Sequence, residues 1–169
     1  MKPFAFSFAM LASGSALAAE PYHVENIMLL QPDFVLQERV RVDELAHYIQ
    51  AVNAAAKANL QNVTAPMPSS GFVVMAVRPG GRSKAWLDFT PPLAPATDAG
   101  LRSAVERVTP FQAKEGVVVF AIRSTLWGAP PTQQQGPFPV EWRQVLDSPG
   151  APVEIGELVE RVWPAGAGG

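Results

Sequence analysis

Residues 71–89 read GFVVMAVRPGGRSKAWLDF and hold two strand-like stretches around a Pro-Gly-Gly turn. Residues 72–77 are apolar and rich in valine, which is typical of a strand. The second stretch alternates between two sides, with Ala85, Leu87 and Phe89 on one and Lys84, Trp86 and Asp88 on the other. Because proline and paired glycines supply the backbone angles of a tight reversal, these residues predict an antiparallel hairpin.

Two amphipathic helices and a third strand are predicted around this hairpin. Apolar residues recur every three or four positions over residues 43–61, where Asp43 is the expected N-cap, and over residues 98–108. Residues 117–127 predict a long strand. The expected fold class is therefore α+β, with an antiparallel sheet of at least three strands packed against two amphipathic helices. A charge placed on either helix face, at Ile49 or Leu101, is expected to unfold the protein.

The rest of the chain is read less sharply. Residues 22–41 contain short apolar runs that are compatible with strand or helix. The C-terminal part is rich in proline and glycine, and short helical patterns occur at residues 140–146 and 155–162. We predict one domain over residues 20–164, with a loop-rich C-terminal part and a flexible tail at residues 165–169.

The first 19 residues have the pattern of a secretory signal peptide. Lys2 precedes the apolar run 4–11, and small residues lead to Ala16-Leu17-Ala18-Ala19. This is the order of charged, apolar and small-residue regions that signal peptidase recognises, and it predicts cleavage after Ala18 or Ala19. The apolar run is too short to span a bilayer, so we expect an exported, periplasmic protein without a transmembrane segment after cleavage.

Composition narrows the chemistry. The chain of 169 residues has no cysteine, which excludes disulfides, thiolate metal sites and cysteine nucleophiles. The formal net charge of −2 argues against a dedicated nucleic-acid binder, which normally carries a strongly basic face. The charge is unevenly spread: residues 71–128 are net basic, and residues 20–70 and 129–169 are net acidic.

The segment 71–127 resembles the C-terminal domain of TonB-type periplasmic energy transducers. The similarity lies in Gly71-Phe72-Val73-Val74, Gly81-Arg82, Ala104-Val105, Pro110-Phe111 and Gly116-Val117. The resemblance implies a similar two-layer α/β fold. Two features of that family are missing, since its Tyr-Pro start is absent and Val108 stands where a tryptophan is usual.

Catalytic and metal-ligating candidates are few. His47 follows Glu44 at a helical spacing of three, which is compatible with a shared proton or metal ion, but the sequence offers no third ligand. No serine sits in a Gly-x-Ser-x-Gly turn, and none has a histidine positioned as its base. We therefore predict no catalytic residue, no metal site and no cofactor.

A protein-binding surface is the remaining hypothesis. Arg78, Arg82 and Lys84 surround the hairpin turn, and Trp86 lies on its polar side; arginine and tryptophan are frequent anchors of interfaces. Because a hairpin tip is normally exposed, charge reversal of Arg78 and Arg82 is expected to leave stability almost unchanged.

Three functions follow from this hypothesis and its alternatives. The first is a non-catalytic binding or adaptor domain that joins another envelope or periplasmic protein. The second is an immunity-type inhibitor of a toxin or hydrolase delivered to the periplasm, which would present an acidic patch from residues 20–70 or 129–169. The third is an enzyme with a minimal site built on His47 and Glu44.

Overall fold

The computed structural model describes residues 18–146 and 153–166. Nearly all of the expected signal peptide, and residues 167–169 of the expected tail, lie outside this range. The strands are β1 (His23–Leu29), β2 (Ser69–Arg78), β3 (Arg82–Thr90) and β4 (Val118–Leu126). They form one sheet in the order β1-β4-β2-β3, and every neighbouring pair is antiparallel. The α+β prediction is confirmed.

The predicted hairpin is present with its turn at the expected place. β2 and β3 pair from Arg78 opposite Arg82 to Ser70 opposite Thr90. Gly80 and Gly81 take φ values of 87° and 66°, a region that glycine enters without steric cost. Both strands are longer than residues 72–77 and 83–89, because the pairing continues through polar residues that the apolar pattern did not mark.

In the described part of the chain, five helices connect and cover the sheet: α1 (Asp33–Arg39), α2 (Val42–Leu60), α3 (Pro95–Glu106), α4 (Val140–Gln144) and α5 (Ile155–Val162). The two predicted amphipathic helices are α2 and α3. Asp43 is not the N-cap of α2: Arg41 holds that position, and Asp43 lies in the first turn and accepts a hydrogen bond from Arg41 Nε. α3 starts at Pro95, three residues before the predicted start, because proline is well suited to the first helical turn.

One face of the sheet packs on α2 and α3. Val52, Ala56 and Leu101 bury their side chains against Val73 and Phe120 of the central strands. This is the core that the helical periodicity predicted. Ile49 packs at its margin and is only partly buried, whereas Leu101 has no exposed surface.

The second face of the sheet is also covered, and the sequence did not predict this layer. α4 and α5 place Trp142, Leu158 and Val159 over the side chains of Phe72 and Trp86. All ten residues of β2 are therefore buried. Burial on both faces explains why this strand reads as a continuous apolar run rather than as an alternating one.

Residues 22–41 form both a strand and a helix. β1 pairs with β4, and the chain then turns at Pro32 into α1. The buried side chain of Gln31 continues the ladder: its Nε2 donates to the Val117 carbonyl at 3.0 Å, and its Oε1 accepts from the Val119 amide at 2.9 Å. This side-chain amide satisfies backbone groups of β4 where the main chain has left the sheet.

Candidate functional site

The four residues singled out around the hairpin fall into two environments. Arg78 and Trp86 are buried, with 4% and 2% of their surfaces exposed. Arg82 and Lys84 are half-buried at the mouth of an open groove. Only the second pair is thus placed where a partner can reach it without a rearrangement of the fold.

Arg78 is held by the C-terminal part of the chain. Its Nη2 donates to the Glu160 carboxylate at 3.0 Å and to the Trp163 carbonyl at 2.5 Å. Its Cζ lies 4.0 Å from the centroid of the Trp163 ring, a cation–π contact. Nε and Nη1 are buried without a hydrogen-bond partner, so this arginine is tied down at one end of its guanidinium.

Trp86 is part of the second core. Its ring meets that of Trp142 edge-on, with centroids 5.7 Å apart and an interplanar angle of 68°. Such pairs add to stability beyond the apolar area that they bury. Trp86 is therefore buried although it lies between polar residues in the sequence, because α4 covers it.

Arg82 and Lys84 line a groove of about 580 Å³ that three parts of the chain build together. The hairpin contributes residues 81–84, the end of α3 and the following loop contribute residues 106–110, and the end of α5 contributes Val162 and Trp163. We call this feature the basic groove. The antiparallel ladder fixes the hairpin wall, so the groove has a preformed base.

Cations dominate the lining of the basic groove. Arg82, Lys84 and Arg107 face one carboxylate, that of Glu106. The Glu106 Oε1 already accepts a hydrogen bond from the Ala85 amide at 2.9 Å, and it thereby blocks one backbone donor of the edge strand β3. Arg82 donates from Nη1 to the Ala165 carbonyl at 3.0 Å, and its Cζ lies 5.5 Å from the Trp163 ring centroid.

A buried tyrosine lies beside the polar residues of this groove. Tyr48 packs edge-on against Phe111 and Phe120, with ring centroids 5.5 and 6.0 Å away. Burial raises the pKa of the Tyr48 hydroxyl, and the charge of Glu106 raises it further. Among the described residues, this hydroxyl has no hydrogen-bond partner. Tyr48 thus anchors α2 behind the groove and stays neutral at physiological pH.

The sequence patterns did not single out Arg107, although its position offers a signal. It directly follows the last residue of α3 and is exposed, as a cation at the C-terminal end of a helix often is. Its proximity to Arg82 and Lys84 depends on how α3 packs against the hairpin, and helical periodicity alone does not give that. Trp163 joins the groove for a similar reason, through the docking of α5.

The two histidines of the chain lie outside the lining of the basic groove. His47 and Glu44 are exposed on α2, and His23 lies on β1, with its Nδ1 3.4 Å from Glu20 Oε2. Over residues 18–146 and 153–166, no group of three or more potential ligands among His, Asp and Glu could hold a metal ion. Within the same two ranges, no helix is long and apolar enough to cross a membrane.

Comparison with known proteins found no match to this chain. No protein-family model matches it, and neither the curated proteins nor the solved structures include a match. The resemblance of residues 71–127 to TonB-type transducers stays a prediction. These residues form β2, β3, α3 and β4 in the order that the sequence predicted.

Proposed function

We propose that this chain is a non-catalytic protein-binding domain that works as an adaptor of an envelope complex in the periplasm. The observation that carries the proposal is the basic groove, in which Arg82, Lys84 and Arg107 stand together at an open surface. Arginine next to apolar and aromatic surface is a composition that interfaces favour.

Contacts within the fold hold the described walls of the groove in place. The hairpin wall belongs to the sheet, Glu106 is bonded to the Ala85 amide, and Trp163 is held by Arg78. A partner that binds here meets a surface that is already arranged, and it does not have to order a loop at a cost in entropy. Preformed walls of this kind suit specific recognition.

Export is the second part of the proposal. The signal-peptide pattern of residues 1–19 supports it, and the absence of cysteine suits an oxidising compartment, where a free thiol is a liability. The partner is therefore sought among envelope and periplasmic proteins.

Quantitative capture from envelope extract tests the proposal. The tagged mature chain, residues 20–169, is compared with the double variant Lys84→Glu/Arg107→Glu and with the control double variant Arg41→Glu/Lys114→Glu. Both doubles change the net charge by the same amount, and all four residues have exposed or half-exposed side chains. We expect one envelope protein to be recovered by the wild type and the control and lost with the groove variant.

Two results would count against the proposal. Equal recovery by all three proteins would remove the basic groove from the interface. Recovery of a toxin or hydrolase that is lost only when acidic residues of segments 20–70 or 129–169 are replaced would instead establish the inhibitor hypothesis.

A further inference from the structure

We infer that the segment bound in the basic groove is an acidic stretch of polypeptide, with several carboxylates that pair with Arg82, Lys84 and Arg107. This inference rests on the proposed function, and it adds the chemistry of the partner. The charge of the groove, its volume and its apolar lining each contribute to it.

Charge is the first step. The three cationic side chains come from two elements, the hairpin and the end of α3, and they converge on one groove. Among the described lining residues there is one carboxylate, that of Glu106, and it accepts a hydrogen bond from the Ala85 amide. Three cations and one carboxylate leave this lining net positive, which attracts a partner of opposite sign, and at physiological salt this attraction acts over about 8 Å.

Volume is the second step. A groove of about 580 Å³ is in the range that holds a ligand of many atoms and far exceeds the space of a single small anion. Its walls come from three separate parts of the chain, which include Gly81, Pro110 and Val162, so a ligand that contacts all of them needs several points of attachment. A polypeptide segment with several carboxylates satisfies these dimensions and the charge together.

The apolar lining is the third step. Val108, Pro110 and Val162 are partly buried, and they line the same groove as the charged side chains. Carboxylate side chains and their neighbours in a peptide carry methylene groups that can pack on this surface. A nucleic-acid backbone would need more phosphate contacts than three cations supply, which favours a peptide as the occupant.

Fluorescence anisotropy with a labelled hexaglutamate peptide tests the inference on the mature protein. We expect saturable binding to the wild type, at least tenfold weaker binding to Lys84→Glu/Arg107→Glu, and less than twofold weaker binding to Arg41→Glu/Lys114→Glu. A labelled hexalysine peptide is expected not to bind. Circular dichroism of each variant verifies that the fold is intact, and unlabelled inorganic phosphate serves as the competing small anion.

The outcomes separate this inference from the proposed function. Equal weakening in both double variants would mean attraction by net charge alone and would overturn the inference. If inorganic phosphate displaces the peptide when both supply the same concentration of negative charge, the groove is a small-anion site, and the inference is overturned. If hexaglutamate does not bind but capture of an envelope protein still depends on the groove, the inference of an acidic partner segment is wrong and the proposed function is retained.

Discussion

The guanidinium of Arg78 lies over the indole of Trp163, with its Cζ 4.0 Å from the ring centroid. This contact joins the hairpin to the end of α5, and the Glu160 carboxylate adds an ion pair at 3.0 Å. Trp163 also belongs to the second core and lines the basic groove. One side chain therefore links the C-terminal helix, the hairpin and the candidate site.

Replacement of this tryptophan should loosen α5. Trp163→Ala removes a large, nearly buried ring, and we expect a loss of about 3–5 kcal/mol in the free energy of unfolding. Trp163→Phe keeps part of the packing and should cost clearly less. Urea unfolding measures both, and hydrogen exchange should show faster exchange in α5 than in β2. Unchanged exchange in α5 of Trp163→Ala would contradict this role.

The two arginines of the hairpin should respond differently to charge reversal. Arg78→Glu brings a buried carboxylate towards Glu160, and we expect it to cost at least about 3 kcal/mol or to prevent folding. Arg82→Glu changes a half-exposed position and should cost within about 1 kcal/mol. The sequence alone predicted a small effect for both. Thermal unfolding of the two single variants measures the difference in stability. Equal melting temperatures would contradict the burial of Arg78.

Two charged substitutions on the apolar faces of α3 and α2 should differ in their effect on stability, because the two positions are buried to different degrees. Leu101→Asp buries a carboxylate at a position with no exposed surface, and we expect no folded protein. Ile49→Asp changes a half-buried position where the carboxylate can reach water, and we expect a folded protein that is about 1–2 kcal/mol less stable. Far-ultraviolet circular dichroism and urea unfolding provide the comparison. A folded Leu101→Asp protein would contradict the packing of α3.

Stability should fall at alkaline pH because two tyrosines are buried. Burial raises the pKa of Tyr22 and of Tyr48 above the ordinary value of 10, whereas the unfolded chain ionises near that value. Their contribution is complete below pH 10 and is lost as the pH rises towards the folded pKa, at up to about 1.4 kcal/mol per pH unit for each tyrosine. Urea unfolding at pH 8 and pH 11 measures the loss.

Single tyrosine variants are the control for this pH dependence. Tyr48→Phe removes one titrating hydroxyl and retains the ring, so its free energy of unfolding should fall less between pH 8 and pH 11 than that of the wild type. Tyr22→Phe should behave likewise, although it also loses the hydrogen bond from the Tyr22 hydroxyl to Asn53 Oδ1. Identical slopes in all three proteins would show that other groups cause the loss.

The sequence predicted those parts of the fold that local patterns determine. The hairpin, α2, α3 and β4 follow from helical periodicity, apolar runs and turn chemistry. For residues 22–41 the sequence did not distinguish strand from helix, since apolar runs of three or four residues are compatible with the periodicity of either. The helical patterns at residues 140–146 and 155–162 match α4 and α5. Their packing on the second face of the sheet was missed, because it depends on tertiary contacts such as Trp86 with Trp142.

The candidate site was only partly predictable for the same reason. Arg82 and Lys84 are adjacent to a turn, so their accessibility follows from local sequence. The burial of Arg78 depends on Glu160 and Trp163, more than 80 residues away, and the role of Arg107 depends on the packing of α3. Contacts between residues so far apart in the sequence cannot be predicted from local sequence patterns.

The most direct test of a partner in the basic groove is site-specific photocrosslinking in intact cells. A photoreactive phenylalanine analogue replaces Thr109, an exposed residue of the groove, or, in a control protein, Gln50, which is exposed on α2 and lies outside the groove. We predict a discrete crosslink to an envelope protein from position 109 and none from position 50. No crosslink from position 109, or equal crosslinks from both positions, would contradict the assignment of the groove as the binding site.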